Sequence, residues 1–281
     1  MTAVRIVTDS ACDLPKAVLD EHGIDVVPLT IRFGSDEFTD GMDLSTAEFW
    51  KRCSESTRLP ETAAPAPGAF QSAFERAADE GCEGVVCVTL SSGLSATYQA
   101  AVLAAETVAG RIDVEVVDSR QVTAAEGLLA LFAAEVAGTG ASTAQVAART
   151  TARIVTADLI GTIDTMDHLV KGGRLGSAKA LVGSLLSVKP ILSVRDGLVV
   201  EGGRQRTRAR ALEHLATVTE SRAPFDWLAV GGGDADDLHK VVERIAAVQT
   251  THPLIVTEIG PVVGTHAGPG IVGIAWLTPE R

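Results

Sequence analysis

Three separated segments of this 281-residue chain carry small polar side chains: residues 8–10, residues 90–95 and residues 264–270. The first two contain hydroxyl side chains, and the third contains a histidine among glycines. Hydroxyls, imidazoles and free backbone N–H groups are hydrogen-bond donors, so together they could hold a small anionic ligand. The first two segments follow apolar runs that are typical of buried strands. We therefore expect their polar groups to meet at the rim of a sheet and to bind a small molecule there.

The second segment carries three serines, Ser91, Ser92 and Ser95, between an apolar run at 84–90 and an alanine-rich stretch at 95–108. This order predicts a strand, a turn and a helix, and the N-terminus of a helix favours an anion. Any one of these serines could serve only as the helix N-cap. Three hydroxyls in five positions exceed what one cap requires, so the turn is a candidate cradle for a carboxylate or phosphate.

Two further residues could contribute donors. Thr62 lies in a proline-flanked stretch at 60–67, where the prolines fix the backbone and could hold its hydroxyl rigidly, although the pattern alone favours an exposed loop threonine. His266 lies among three glycines that would allow close approach to a ligand, and its imidazole could donate to a carboxylate. A purely structural histidine is the alternative.

Catalysis and phosphate binding are weaker interpretations of the same residues. Ser95 and His266 could form a serine hydrolase pair, but the G-x-S-x-G turn that presents such a nucleophile is absent. Arg174 follows Gly172 and Gly173 and could clamp a phosphate, whereas a glycine that ends a helix explains the segment equally well. Binding is therefore the better-supported role, with no catalytic residue.

Composition excludes several classes of protein. A formal net charge of −12 disfavours nucleic acid and anionic membranes, and an aromatic content of 4% leaves few rings for stacking bases. No apolar run reaches the roughly 18 residues of a membrane span, and no signal peptide is indicated. Four cysteines without CxxC spacing predict free thiols and no metal site. We expect a cytoplasmic protein without a cofactor.

The elements that position these residues alternate as strand and helix up to about residue 151, which predicts a parallel sheet covered by helices on both faces. After residue 151 a hairpin is predicted across Asp196-Gly197, which indicates a mixed sheet. The fold class is therefore α/β, with two domains at residues 1–151 and 152–281.

Short motifs in a fixed order make the chain similar to the DegV family of bacterial fatty-acid-binding proteins over residues 3–280. The match rests on the order and spacing of the motifs, since each is short. They are 6–10 (IVTDS) with 13–15 (DLP), 27–29 (VPL), 40–43 (DGMD), Thr62 with Pro65, 90–98 (LSSGLSATY), 117–119 (VDS), 171–174 (KGGR), 189–191 (KPI) and 265–270 (THAGPG).

The resemblance implies a protein that buries a long-chain fatty acid such as palmitate and holds its carboxylate with hydroxyls. The family's threonine and serine positions carry over to Thr62 and Ser95, with Ser92 and His266 at neighbouring positions of the head site. It also implies lipid transport, or presentation of the fatty acid to a separate ATP-binding fatty acid kinase subunit. A Ser/His acyl hydrolase and a regulatory lipid-binding module remain the alternatives.

The chain departs from the family pattern at two places beside these residues. Where the family loop usually has Thr-Ser-Gln-Pro, residues 62–65 are Thr-Ala-Ala-Pro, which removes a hydroxyl and an amide. Where the family turn has Leu-Ser-Gly-Thr, residues 94–97 are Leu-Ser-Ala-Thr, which adds one methyl group. Both departures leave Thr62 and Ser95 in place, so the prediction of a carboxylate site stands.

Overall fold

The structure, a computed structural model, describes residues 3–176 and 188–280. Its β-strands are β1 (Val4–Asp9), β2 (Ile24–Val27), β3 (Thr30–Phe33), β4 (Asp36–Thr39), β5 (Glu61–Ala63), β6 (Gly84–Thr89), β7 (Asp113–Asp118), β8 (Ala157–Thr162), β9 (Lys189–Arg195), β10 (Leu198–Gln205), β11 (Trp227–Gly233), β12 (Ile255–Glu258) and β13 (Ile271–Leu277). Its α-helices are α1 (Lys16–His22), α2 (Thr46–Glu55), α3 (Pro67–Asp79), α4 (Thr97–Val108), α5 (Ala124–Gly138), α6 (Thr143–Arg153), α7 (Asp167–Gly172), α8 (Arg208–Arg222), α9 (Leu238–Ile245) and α10 (Pro261–Ala267).

The first sheet is parallel and has the strand order β2-β1-β6-β7. Helices α3 and α4 pack on one face through Phe70, Phe74 and Ala101, and α5 and α6 pack on the other through residues such as Leu128 and Val146. Both faces are therefore buried, which explains why β6 is apolar along its whole length. The predicted parallel sheet with helices on both faces is confirmed.

A small antiparallel sheet, β4-β3-β5, was not predicted. The apolar pattern of residues 26–32 predicts one continuous strand. Pro28 has no backbone N–H to donate to a neighbouring strand, and the chain leaves the parallel sheet at this residue. The N–H of Leu29 instead donates to the Ser10 hydroxyl at 3.0 Å. The small sheet matters for the site because Thr62 lies on β5, paired with Ile31, and not in a free loop.

The third sheet is mixed, with the order β10-β9-β8-β13-β11-β12. The predicted hairpin across Asp196-Gly197 is confirmed as β9 and β10, and both turn residues have positive φ, as a tight hairpin turn requires. Helices α8 and α9 cover one face of this sheet. Helix α5 packs against the other face as well as against the parallel sheet, so it lies between the two sheets.

The predicted boundary near residue 151 falls within α6. The parallel sheet lies entirely before it and the mixed sheet entirely after it. Contacts such as the hydrogen bond from the Gly260 N–H to Asp13, 2.8 Å long, join the two halves. The division into two domains stays a prediction.

Four buried carboxyl groups lie near the carboxyl ends of the parallel strands. Burial raises the pKa of Asp13 to about 8, that of Asp9 to about 7 and that of Asp40 to about 6. Burial, together with the nearby Asp9 carboxyl, also raises the pKa of Glu126 well above its usual range. These groups keep their protons at pH values where an unfolded chain would lose them.

We expect the free energy of unfolding to decrease as the pH rises from 5 to 7. At pH 5 the buried carboxyls are protonated in the folded protein but ionised in the unfolded chain, where the pKa of Asp is about 3.9. Asp40 and Asp9 lose their protons as the pH rises through about 6 and about 7, whereas Asp13 and Glu126 keep theirs over the whole range. The folded state then binds more protons, so its stability is greatest at low pH and is lost as the pH rises through the folded-state pKa. Denaturant unfolding at pH 5, 6 and 7 measures this slope.

The substitution Asp13→Asn isolates one of these groups. An amide takes the place of the protonated carboxyl, so the slope should become shallower by about 1 kcal/mol per pH unit. The control is Asp36→Asn, since Asp36 is exposed on β4 and should leave the slope unchanged. An Asp13→Asn slope equal to that of the wild type would contradict the prediction.

Candidate functional site

An apolar tunnel runs between the mixed sheet, the start of α5 and the short helix α10. It encloses about 910 Å³ of space not occupied by atoms, including its open mouth. Most of its wall is aliphatic. The aliphatic side chains of the wall are Leu29, Leu90, Leu94, Val122, Leu159, Ile163, Leu169, Leu192, Val194, Val199, Ile259, Val262, Val263, Ala267 and Ile271. A space of this size and lining suits a hydrocarbon ligand.

Six polar side chains line the same tunnel, and the hydroxyls of two of them, Thr123 and Ser193, donate to Asp13 and to the Leu159 carbonyl. The other four are Thr62, Ser95, Arg174 and His266. Three of these residues, Thr62, Arg174 and His266, also line an adjoining opening of about 820 Å³ whose wall includes Lys171 and His168. These three residues therefore stand where the apolar tunnel meets a more polar opening, and the segment of Ser95 joins them because the Leu94 carbonyl accepts a hydrogen bond from Arg174. We call Thr62, Ser95, Arg174 and His266 the head cluster.

Thr62 and His266 are joined directly, although 204 residues separate them in the chain. The Thr62 Oγ1 atom lies 2.9 Å from His266 Nε2. Burial lowers the pKa of His266 to about 4, and the Arg174 cation and His168 add to this effect, so the imidazole is neutral near pH 7.

The proton of this neutral imidazole is assigned to Nε2. The other nitrogen, Nδ1, is buried without a partner among the described residues, and a buried N–H without an acceptor is rarer than an unused acceptor. Nε2–H then donates to the Thr62 oxygen. The Thr62 O–H is left to donate to a ligand in the tunnel.

Ser95 lies at the start of the segment that leads into α4. Its Oγ accepts a hydrogen bond from the Thr97 N–H at 3.3 Å and lies 2.8 Å from the Thr97 hydroxyl. When the buried Thr97 hydroxyl donates in this pair, the Ser95 O–H is free to donate elsewhere. Thr62 and Ser95 thus present two neutral donors to one cavity.

Ser92 is not brought to the head cluster. It is exposed, it does not line the tunnel, and both its hydroxyl and its backbone N–H donate to the Asp118 carboxylate. Ser91 is also occupied, because its hydroxyl donates to the Gly197 carbonyl at 2.7 Å. Of the three serines in this turn, only Ser95 lines the tunnel.

The segment that contains His266 is helical over Pro261–Ala267, a helix that the sequence analysis did not predict. Pro261 begins α10, a position where its missing N–H costs nothing. A Cβ at Gly264 would come within 2.8 Å of both Phe49 and Trp50, so glycine allows α10 to lie close to these rings. A Cβ at Gly172 would likewise reach His266 Nδ1 at 2.4 Å, which shows how closely the end of α7 approaches the imidazole.

Arg174 belongs to the head cluster, although the sequence analysis gives it only as a possible clamp for a phosphate. It follows Gly173, whose positive φ ends α7, so the helix C-cap interpretation of the glycines is confirmed. Its guanidinium donates to the carbonyls of Gly172 at 2.7 Å and Leu94 at 3.2 Å and still lines the tunnel. The cluster therefore includes a cation, which a carboxylate ligand would favour.

The first polar segment builds the rim without lining the tunnel. The Asp9 carboxyl accepts hydrogen bonds from the N–H groups of Ala11 and Leu90, and Ser10 accepts from Leu29. These bonds join the ends of β1 and β6 to the chain that enters β3. Their role is to position the serine turn.

The geometry of the cluster suits binding better than hydrolysis. A serine hydrolase requires its nucleophile and base to be hydrogen-bonded. Here Ser95 is paired with Thr97 and His266 with Thr62. In the described ranges, no set of three or more His, Cys, Asp or Glu side chains is placed to hold a metal ion, and no helix is long and apolar enough to cross a membrane.

Comparison with known proteins gives a match over almost the whole chain. The family described as uncharacterised proteins of the DegV family matches residues 3–279. A DegV domain-containing protein of Streptomyces coelicolor is 34% identical over 279 residues, which cover 96% of this chain and 97% of that protein.

Two solved structures share the fold. The structure that describes fatty acid binding of a DegV family protein from Thermus thermophilus is 27% identical, covers 99% of this chain and 100% of its own, and has a TM-score of 0.89. A fatty acid (stearic acid)-binding protein from Eubacterium ventriosum is 27% identical, covers 98% of both chains, and has a TM-score of 0.86.

Proposed function

Because the chain belongs to the DegV family, we propose that it binds one long-chain fatty acid in the apolar tunnel, with the carboxylate at the head cluster. The observation that carries the proposal is an aliphatic cavity that shares Thr62, Arg174 and His266 with the adjoining, more polar opening. The fatty acids bound by the two structural neighbours support the same assignment. On this account the protein carries a ligand and transforms none.

The hydrocarbon supplies most of the binding energy in this proposal. Each methylene that leaves water contributes roughly 0.8 kcal/mol, so a chain of about 16 carbons needs no strong ionic clamp. The Thr62 and Ser95 hydroxyls donate to the carboxylate and fix its position. Arg174 offsets its charge in a chain whose net charge is −12.

A partner that phosphorylates the carboxylate is part of the proposal. The family resemblance implies an ATP-binding fatty acid kinase subunit, and the adjoining opening beside Thr62 would give such a subunit access to the head group. Lys171 and Arg174 on its wall are cations that favour a phosphoryl group. The four unpaired cysteines favour a reducing cytoplasm. A regulatory module that binds lipid for another partner is the alternative role.

Lipid extraction and uptake test the proposal. Purified protein is extracted with organic solvent for mass spectrometry, and delipidated protein is titrated with palmitate, oleate and methyl palmitate. We expect a bound fatty acid, uptake of both acids, and weaker binding of the ester, which lacks the anionic head. Protein that carries no lipid and takes up neither acid would refute fatty acid binding.

A further inference from the structure

Two glycines face each other at the centre of the mixed sheet. Gly161 on β8 and Gly273 on β13 are register partners, so they share one face of the sheet. Both line the tunnel. Three of the four flanking residues on that face are large and aliphatic and also line the tunnel, namely Ile163, Ile271 and Leu159; the fourth, Ala275, is small and does not line it.

Neither glycine is required by its backbone. The φ angles of Gly161 and Gly273 lie outside the left-handed region, and glycine in the interior of a strand is less stable than alanine. A Cβ at Gly273 would meet no atom nearer than the Ile160 carbonyl oxygen at 3.8 Å. A Cβ at Gly161 would have a closer contact, 3.2 Å from the Val272 carbonyl oxygen, but no side-chain atom would lie within 4 Å of it.

A third glycine in the same row shows the contrast. Gly231 on β11 pairs with Gly273 and faces the same side, but a Cβ there would meet Thr257 Cγ2 at 2.9 Å and Ile259 Cγ1 at 3.3 Å. Close packing against Thr257 and Ile259 therefore explains why residue 231 is a glycine. Among the described side chains only Ile259 Cδ1, 3.9 Å from a Cβ at Gly273, comes within 4 Å of a Cβ at Gly161 or Gly273. Glycine inside a strand often marks a close approach by a ligand.

The pair lies away from the head cluster along the tunnel. Ile163, just past the end of β8, is nearer to α7, which contacts α10 and His266. Leu159 lies on the other side of Gly161, among the residues that pack with α5. Residues two apart on a strand face are separated by about 6.8 Å, so Gly161 begins the deeper part of the tunnel. Val122 and Thr123, at the start of α5, line this deeper part.

We propose that the slot above Gly161 and Gly273 receives the distal methylenes of the acyl chain, so that these two glycines set the longest chain the protein accepts. The inference rests on the proposed function, because it requires the head group at the Thr62 end. A side chain at either position would occupy the space of the tail without touching the head cluster.

Affinity as a function of chain length tests this inference. The substitution Gly273→Val should displace about two methylenes, each worth about fourfold in affinity, so palmitate and stearate should bind about fifteenfold more weakly. Decanoate, which is too short to reach the slot, should bind as it does to the wild type. The titrations use delipidated full-length protein and the C10, C12, C16 and C18 acids.

Two further variants complete the test. Gly202→Val adds the same side chain at an exposed position of β10 that does not line the tunnel, and the chain-length profile should not change. If Gly273→Val fails to fold, Gly273→Ala should bind stearate about fourfold more weakly with decanoate unchanged. A folded variant with the wild-type profile overturns the inference, whereas wild-type protein that binds no fatty acid refutes the proposed function itself.

Discussion

The double variant Thr62→Ala/Ser95→Ala should bind palmitate about a hundredfold more weakly than the wild type. A hydrogen bond to a charged group contributes roughly 1.5–3 kcal/mol, and this variant removes both hydroxyl donors of the head cluster. Removing Thr62 also leaves His266 Nε2, now 2.9 Å from the hydroxyl, without its acceptor. Each single variant should lose about tenfold, because the other donor remains. Isothermal titration of delipidated protein measures the loss.

Ser92→Ala is the matched control for this experiment. Ser92 lies in the same turn as Ser95, but its hydroxyl donates to Asp118 and it is exposed. Its removal should change palmitate affinity by less than twofold. A double variant that binds palmitate within twofold of the wild type would place the carboxylate elsewhere, and so would a Ser92→Ala variant that matches the loss of the double variant.

Asp226→Ala should lower the free energy of unfolding by about 3 kcal/mol. Asp226 forms a salt bridge with Arg153, the last residue of α6, whose side chain is only 1% exposed. The Arg153 Nη2 atom donates to Asp226, and its Nε and Nη1 atoms have no hydrogen-bond partner within residues 3–176 and 188–280. The variant therefore leaves a buried guanidinium without its counterion, a situation that costs several kcal/mol in other proteins. Denaturant unfolding at constant pH measures the change.

Two companion variants separate the ion pair from simple loss of a side chain. Arg153→Met should cost only about 1 kcal/mol, because its partner Asp226 is 29% exposed and can be hydrated. Asp236→Ala removes an exposed carboxylate and should change stability by less than about 0.5 kcal/mol. A larger loss for Arg153→Met than for Asp226→Ala would contradict this account of the pair.

Local sequence patterns predicted the elements whose signal is continuous along the chain. The apolar run of β6, the alanine-rich α4 and the hairpin turn at Asp196-Gly197 each carry their own signal, and each forms as predicted. The division of residues 26–32 between two sheets was missed. Its cause is long-range, because Leu29 bonds to Ser10 and β3 pairs with β5.

The site was only partly predictable for the same reason. Thr62 and Ser95 both line the tunnel, but the contact between Thr62 and His266 joins residues 204 positions apart and leaves no local pattern. Helix α10 was not predicted, and the close packing of its Gly264 against Phe49 and Trp50 is a long-range contact. Arg174 joins the cluster through carbonyl contacts that depend on where α7 ends.

A crystal structure of the palmitate complex tests the central claim most directly. The account predicts density for one acyl chain in the tunnel, with carboxylate oxygens within about 3.2 Å of the Thr62 and Ser95 hydroxyls. The distal methylenes should lie over Gly161 and Gly273. A palmitate whose carboxylate lies at the α5 end of the tunnel, or outside it, would contradict the account.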